Sequence, residues 1–429
     1  MEQLLSILVW RMFFSGSIWL ERDAIMLTFE LKRILRLRST IVILIIALLL
    51  ACVLPFLSTI GINGYLIEDS GSLQILSGYD GVKSRREAES TYEGLATPDI
   101  LWQVINNYQT LHAEYGDNIP NEIYIKEIVP AETLMKLIVS GSLGQGQYGY
   151  EGLLAFTQED IWNFYELRNG AVEQYLIQQL GGNSSAYQVA KRMAGQVRVP
   201  FAFHACQGWP TACGNISGIV MIAIFAGCLL SSRVFSVEYQ SGAYLILKSA
   251  KNGCQKLAKV KIVASLIVSG GLYLAILLVY SLLCVFIFGK DGLNVPIQFA
   301  SFLSPVPFTF RDVYILSACM GLITVLAMSA FTLFLSSCFV SPAFPIAISW
   351  FLLVIQQLSG SLSAEWIQLL CDILPSSGSA VYGELFRINF LEIGNIAIWS
   401  PCVIFFTNLL AIPVCSILAI HFYCCYKLK

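Results

Sequence analysis

Apolar residues in this chain gather into long runs that contain no Asp, Glu, Lys or Arg. Residues 41–60 form one such run of 20, and a helix of that length covers roughly 30 Å, the hydrocarbon thickness of a bilayer. A second run lies between Arg198 and Arg233, with its apolar part at 216–230, and a third covers 262–288. From 313 to 364 no charge occurs, which is too long for one crossing. Ser341-Pro342 and Pro345 interrupt that stretch. Proline lacks an N–H donor and disfavours a helical predecessor, so one helix ends near Val340 and another starts near Phe344. The run 393–426 holds a last span from about Trp399. The pattern thus predicts six transmembrane helices, at 41–60, 216–232, 262–288, 313–340, 344–358 and 399–423. Backbone polar groups in lipid must be paired within a segment, which selects helices, and the ten-residue alternation of a membrane barrel is absent. The expected fold class is an all-α polytopic membrane protein.

Lys and Arg set the expected orientation. Six precede the first span (Arg11, Arg22, Lys32, Arg33, Arg36, Arg38), and six lie between the second and third (Arg233, Lys248, Lys251, Lys256, Lys259, Lys261). Lys427 and Lys429 follow the last span, whereas the short connections on the other side carry only Lys290, Arg311 and Arg387. Positive charge stays inside, so both termini and the 233–261 loop are expected to be cytoplasmic in a multi-pass protein of the cell membrane. The first 40 residues then form a cytoplasmic segment with an amphipathic basic helix at 26–38. Its start is open between an interfacial helix around Trp10, Arg11 and Trp19 and a translation start at Met26.

Residues 61–215 become an extracytoplasmic insert between spans one and two, with 17 acidic and 9 basic side chains. Helical patterns recur in it at 98–115, 130–138, 158–180 and 186–197, with Asp99, Glu132, Glu159 and Asp160 in first turns where the helix dipole favours carboxylates. Gly-rich breaks at 141–149 and 181–182 separate the pieces, and strand is the expectation around 123–128. Residues 359–398 form a second, smaller outer segment.

Composition narrows the functions. The chain is 56% hydrophobic and 13% charged, about half the usual charge of soluble domains. A formal charge of −2 offers nothing to nucleic acid. Cys206 and Cys213 fall on the outer side and are the candidate disulfide in an oxidising compartment. The other cysteines read as small hydrophobes. No Cys or His cluster has metal-ligand spacing, and the stretch Gly78–Ser84 lacks the spacing of a phosphate loop. No catalytic motif is present, so an enzyme is not expected. Nor do the spans place ionisable groups at mid-membrane, as gradient-driven transporters do; Gln356, Gln357, Asn408 and several serines are their polar residues.

The loop after span two reads Phe235-Ser-Val-Glu238-Tyr-Gln-Ser-Gly242-Ala-Tyr244-Leu-Ile-Leu-Lys-Ser249, then Ala-Lys-Asn-Gly-Cys-Gln-Lys-Leu-Ala-Lys259-Val-Lys261. It resembles the corresponding loop of ABC-2 type permeases, the membrane subunits of one class of ATP-driven exporter. There a Phe and a Glu leave the second span, a Gly follows four residues after the Glu, and a Ser/Thr-containing stretch leads through a basic helix to span three. Ala243 stands where the family has Thr, and Lys251-Asn252-Gly253 replaces its Pro and Arg. The basic helix before span one, the large outer insert, six spans and Ile373-Leu374-Pro375 also look like this family. The resemblance implies a loop that docks on a separate ATPase, through Phe235, Glu238, Gly242, Tyr244, Ser249 and Lys259. ATP and Mg would bind that partner and not this chain. It also implies a second permease copy or a sister permease, and peptides, antimicrobials, drugs or lipid-linked sugars as cargo. From the residues alone Glu238 has an internal alternative, an ion pair with Lys248 or Arg233. The rival reading of the whole chain is a membrane-anchored sensor whose outer domain binds a ligand without transport.

Overall fold

The structure is a computed structural model and describes residues 20–67, 73–141, 150–249, 253–359 and 365–426. Trp10, Arg11, Trp19, the Gly-rich break beyond Gly141, Lys251, Asn252, Lys427 and Lys429, all singled out above, lie outside the described residues. The chain is mostly helical. Among the described residues five helices are long and apolar enough to cross a membrane, which makes this a multi-pass membrane-embedded protein. We number the helices of the apolar bundle and its basic end: α1 Leu20–Leu35, α2 Arg38–Leu57, α3 Trp209–Ser231, α4 Arg233–Ser241, α5 Ala243–Ser249, α6 Gln255–Phe288, α7 Phe310–Cys338, α8 Ala343–Ser359 and α9 Ser400–Cys425. The five long ones are α2, α3 with its continuation α4, α6, α7 and α9. At 17 residues α8 is shorter than these, reaching about 26 Å.

Helix α7 is the centre of the bundle, packed on α3 and α9. It begins with a capping box: the Thr309 amide donates to the Asp312 carboxylate at 2.9 Å, and the Asp312 amide donates to the Thr309 hydroxyl at 3.3 Å. That pairing satisfies two of the donors a helix start leaves open. Gly321 lets α7 lie close to its neighbours, since a Cβ there would sit 2.4 Å from Val220 and 2.5 Å from the Tyr273 hydroxyl. Ile216, Ile219 and Val220 of α3, Tyr273 and Ile276 of α6 and Val325 of α7 form part of one buried core. Outward, α6 presents Leu274, Leu278, Leu282 and Phe286, between 51% and 70% exposed. An apolar stripe at four-residue steps facing away from the core is unstable in water and suits hydrocarbon.

The helices overrun the charge-free runs. Helix α2 starts at Arg38 and α6 at Gln255, so Lys256, Lys259 and Lys261 are helical. Missing charge marks the extent of hydrocarbon, and the helices run on past it into the polar end, where Lys259 is exposed and Lys261 is buried in an ion pair with Glu238.

The insert between α2 and α3 has its own core, which includes Leu101, Ile105, Leu134, Ile138, Phe201 and Phe203. Its helix Pro98–Tyr115 has Pro98 in the first turn and ends at Gly116 with φ +62°. The expected strand at 123–128 is helical instead, because Asn121–Ile123 and Tyr124–Ile128 continue a helical path toward the helix Glu132–Gly141 and bury Ile128. Burial of that side chain in the helical core outweighs the β propensity of its neighbours. The expected helix 158–180 is two pieces, Gln158–Trp162 and Phe164–Leu180, broken at Asn163. Among the described residues three small antiparallel pairs were not anticipated: Gly64–Ile67 with Leu73–Leu76, Gly94–Leu95 with Ala202–Phe203, and Phe390–Ile393 with Ile396–Trp399.

Two buried polar ties join this insert to the bundle. The Arg168 guanidinium donates to the carbonyls of Phe302 (3.1 Å) and Ser304 (3.0 Å), in the connection between α6 and α7. Burial brings its pKa down to about 10. Arg85 pairs with Glu89 and Glu132, and Glu89 also accepts from Gln207, just ahead of α3. Burial pushes the Glu89 carboxyl up against the pull of these donors.

Candidate functional site

The site is built where α3 stops. Its helix breaks at Ser232 and restarts as α4, which leaves new N–H groups without intrahelical partners. The Ser336 hydroxyl of α7 supplies them: it accepts from the amides of Phe235 and Ser236 (both 3.2 Å) and donates to the Ser232 carbonyl (2.7 Å). One donor and two acceptors is a hydroxyl's full capacity. Phe235 is thereby seated with no exposure, its ring 4.8 Å from that of Tyr423 in α9.

Helix α4 ends at Gly242, whose φ of +71° lies in the left-handed region that favours glycine. The chain turns there into α5. Tyr244 is buried, and its hydroxyl donates to the Tyr426 carbonyl at 2.6 Å. Tyr239 stacks on the Tyr426 ring at 4.0 Å. Lys248 donates to the carbonyls of Cys424 (2.8 Å) and Tyr426 (3.2 Å). Those carbonyls end α9, where a helix dipole favours a cation. One side of α5 is therefore fixed to the end of α9. The other side is open: Leu245 is 56% and Ile246 75% exposed. Ser249 donates to the Ile246 carbonyl at 2.7 Å, and Lys259 stands exposed on α6.

Glu238 is at the centre of this arrangement and only 5% exposed. Its carboxylate pairs with the buried Lys261 ammonium of α6, takes the Tyr423 hydroxyl of α9 at 3.3 Å and lies 3.6 Å from Arg33 of α1. Arg33 also meets Glu30 of the same helix at 3.2 Å. Two carboxylates face two cations, so the cluster is formally neutral. It also links four helices, α1, α4, α6 and α9. Of the readings the sequence left open for Glu238, neither Lys248 nor Arg233 is its partner; Lys248 serves α9, and Arg233 donates to Ser39 at 3.2 Å.

The structure thus brings Phe235, Glu238, Gly242 and Tyr244 into one packed unit, with Ser249 and Lys259 on its rim. Glu30, Arg33 and Tyr423 were not expected as members, and Lys261 was expected only as the alternative to Lys259 in the basic helix leading to span three. The readable signal was the Glu30–Arg33 step of three on an amphipathic helix and the position of Lys261 as the last charge before a long apolar run. Cys206 and Cys213 are separate buried thiols, with the Cys213 Sγ 3.6 Å from the Phe310 carbonyl. Following Pro375, Ser376, Ser377 and Ser379 are buried against α7, α8 and α9. Among the described residues no three His, Cys, Asp or Glu side chains come together to hold a metal. No protein-family model matches the chain, and no curated protein matches its sequence.

Proposed function

We propose that the chain is the permease subunit of an ATP-binding-cassette exporter. In this reading α8 is a sixth span, both termini and the α4–α5 hairpin are cytoplasmic, and the insert lies outside the membrane. A separate ATPase binds ATP and Mg, and a second permease copy or a sister permease completes the pathway. Cargo moves outward, with peptides, antimicrobials or drugs as the classes the family resemblance suggests.

The observation that carries the reading is α5: a short helix at the basic end, anchored to α9 by Tyr244 and Lys248, that turns Leu245 and Ile246 away from the protein. Exposed apolar side chains on a rigid mount suit docking into a groove, where a few central residues carry most of the binding energy. Motion of a docked ATPase would pass into α9 through the tyrosines. It would reach α6 and α1 through Glu238, Lys261 and Arg33.

Purification from native membranes in mild detergent tests this. The expected result is a complex that hydrolyses ATP, with the activity residing in a second polypeptide. A chain that binds an outer ligand and carries no ATP-hydrolysing companion supports the sensor instead.

A further inference from the structure

Two cavities adjoin at the basic end, between α1, α2, α3, α6 and α8. The first, about 220 Å³, has Arg33, Arg233, Ser39 and Thr40 in its wall beside Leu37 and Leu229. The second, about 300 Å³, is almost wholly apolar and includes Leu44, Ile267, Val268, Gly271 and Leu272. Thr40, Ile43 and Leu230 belong to both walls, so the polar space opens onto the apolar one. Thr40 is 3% exposed, yet its hydroxyl has no hydrogen-bond partner. A buried hydroxyl without a partner costs free energy unless something else supplies one. Arg233 meets only the Ser39 hydroxyl and forms no ion pair among the described residues.

We infer that these cavities hold one anionic phospholipid of the leaflet at the basic end. Its phosphodiester sits between Arg233 and Arg33 and accepts from Thr40, and one acyl chain passes Ile43 and Leu230 into the apolar chamber. Charge decides the class. Arg33, Lys261, Glu30 and Glu238 cancel, so Arg233 leaves one positive charge at the mouth, matched by one phosphodiester. A zwitterionic headgroup would bring its own cation back to the same place. Guanidinium groups suit phosphate oxygens, and basic side chains at a membrane surface contribute about 1 kcal/mol each toward anionic lipid. The lipid would join α1 to α2, α3 and α6, and this holds whether or not the protein is an exporter.

The test uses the full chain in detergent, with lipid retention read by native mass spectrometry. Phosphatidylglycerol and phosphatidylcholine of matched chains are compared, with glycerol phosphate as the headgroup-only competitor. One phosphatidylglycerol per chain is expected, held roughly fivefold to tenfold better than phosphatidylcholine. Arg233→Gln should remove that preference. Gly271→Leu should lower retention of both lipids by filling the chamber, since a Cβ added there meets nothing within 4 Å, and should leave the lipid-free Tm unchanged. Equal retention of the two lipids, or unchanged retention in both variants, overturns the inference. So does full competition by glycerol phosphate, which would mark an anion site without a place for acyl chains.

Discussion

Lys261→Met should destabilise the protein by about 3–5 kcal/mol, because it leaves the Glu238 carboxylate buried without its main partner. Glu238 is 5% exposed, and the remaining cation near it, Arg33, stands 3.6 Å away and is shared with Glu30. A carboxylate in that position either stays charged at high cost or takes up a proton. The double variant Glu238→Gln with Lys261→Met should regain more than half of the loss, since a neutral pair of similar volume carries no such penalty. Denaturant titration of the detergent-solubilised chain, run as a double-mutant cycle, reads both values. A coupling below about 0.5 kcal/mol would mean that the two side chains act as independent surface charges, contrary to their burial.

Leu245→Asp with Ile246→Asp should have the opposite character. Both side chains point away from the protein, so its stability should stay within about 0.5 kcal/mol of the parent. Under the proposed function, transport coupled to ATP should nevertheless fall by a large factor. An apolar anchor at the centre of an interface contributes about 2 kcal/mol or more, and two charged replacements also carry unpaired carboxylates into the groove. Together they should weaken ATPase binding by roughly a hundredfold or more. Comparison with Lys261→Met separates the roles: one variant loses folding, the other only the companion. Full ATP-stimulated export by the α5 variant would remove α5 from the coupling path.

Much of this architecture is written in the sequence because hydrocarbon excludes charge. The runs at 41–60 and 262–288 locate α2 and α6, and Ser341-Pro342 separates α7 from α8, with Pro345 in the first turn of α8. Gly242 four residues after Glu238 also marks the turn into α5, since only a left-handed residue makes it without strain. The partner of Glu238 was not legible. Lys261 lies 23 residues away and Tyr423 185, and which of several cations reaches Glu238 depends on how α1, α4 and α6 are rotated about their axes. Periodicity shows that α1 is amphipathic, but not that its Arg33 points inward to Glu238. The short strand pairs, Gly64–Ile67 with Leu73–Leu76 and Phe390–Ile393 with Ile396–Trp399, escaped notice for another reason. Four-residue strands show too few alternations to stand out, and such small pairs need packing on a helix for stability.

Contact of α5 with another chain distinguishes the proposed exporter from the sensor. Placing a photo-cross-linking amino acid at Ile246 in the full-length protein, in native membranes, measures that contact directly. The expected product is a single cross-linked species containing an ATP-hydrolysing polypeptide, with a yield that changes when ATP is added and none when the probe stands at the buried Phe235. Cross-links to lipid alone, or label reaching Ile246 from the exterior of intact cells, would contradict it.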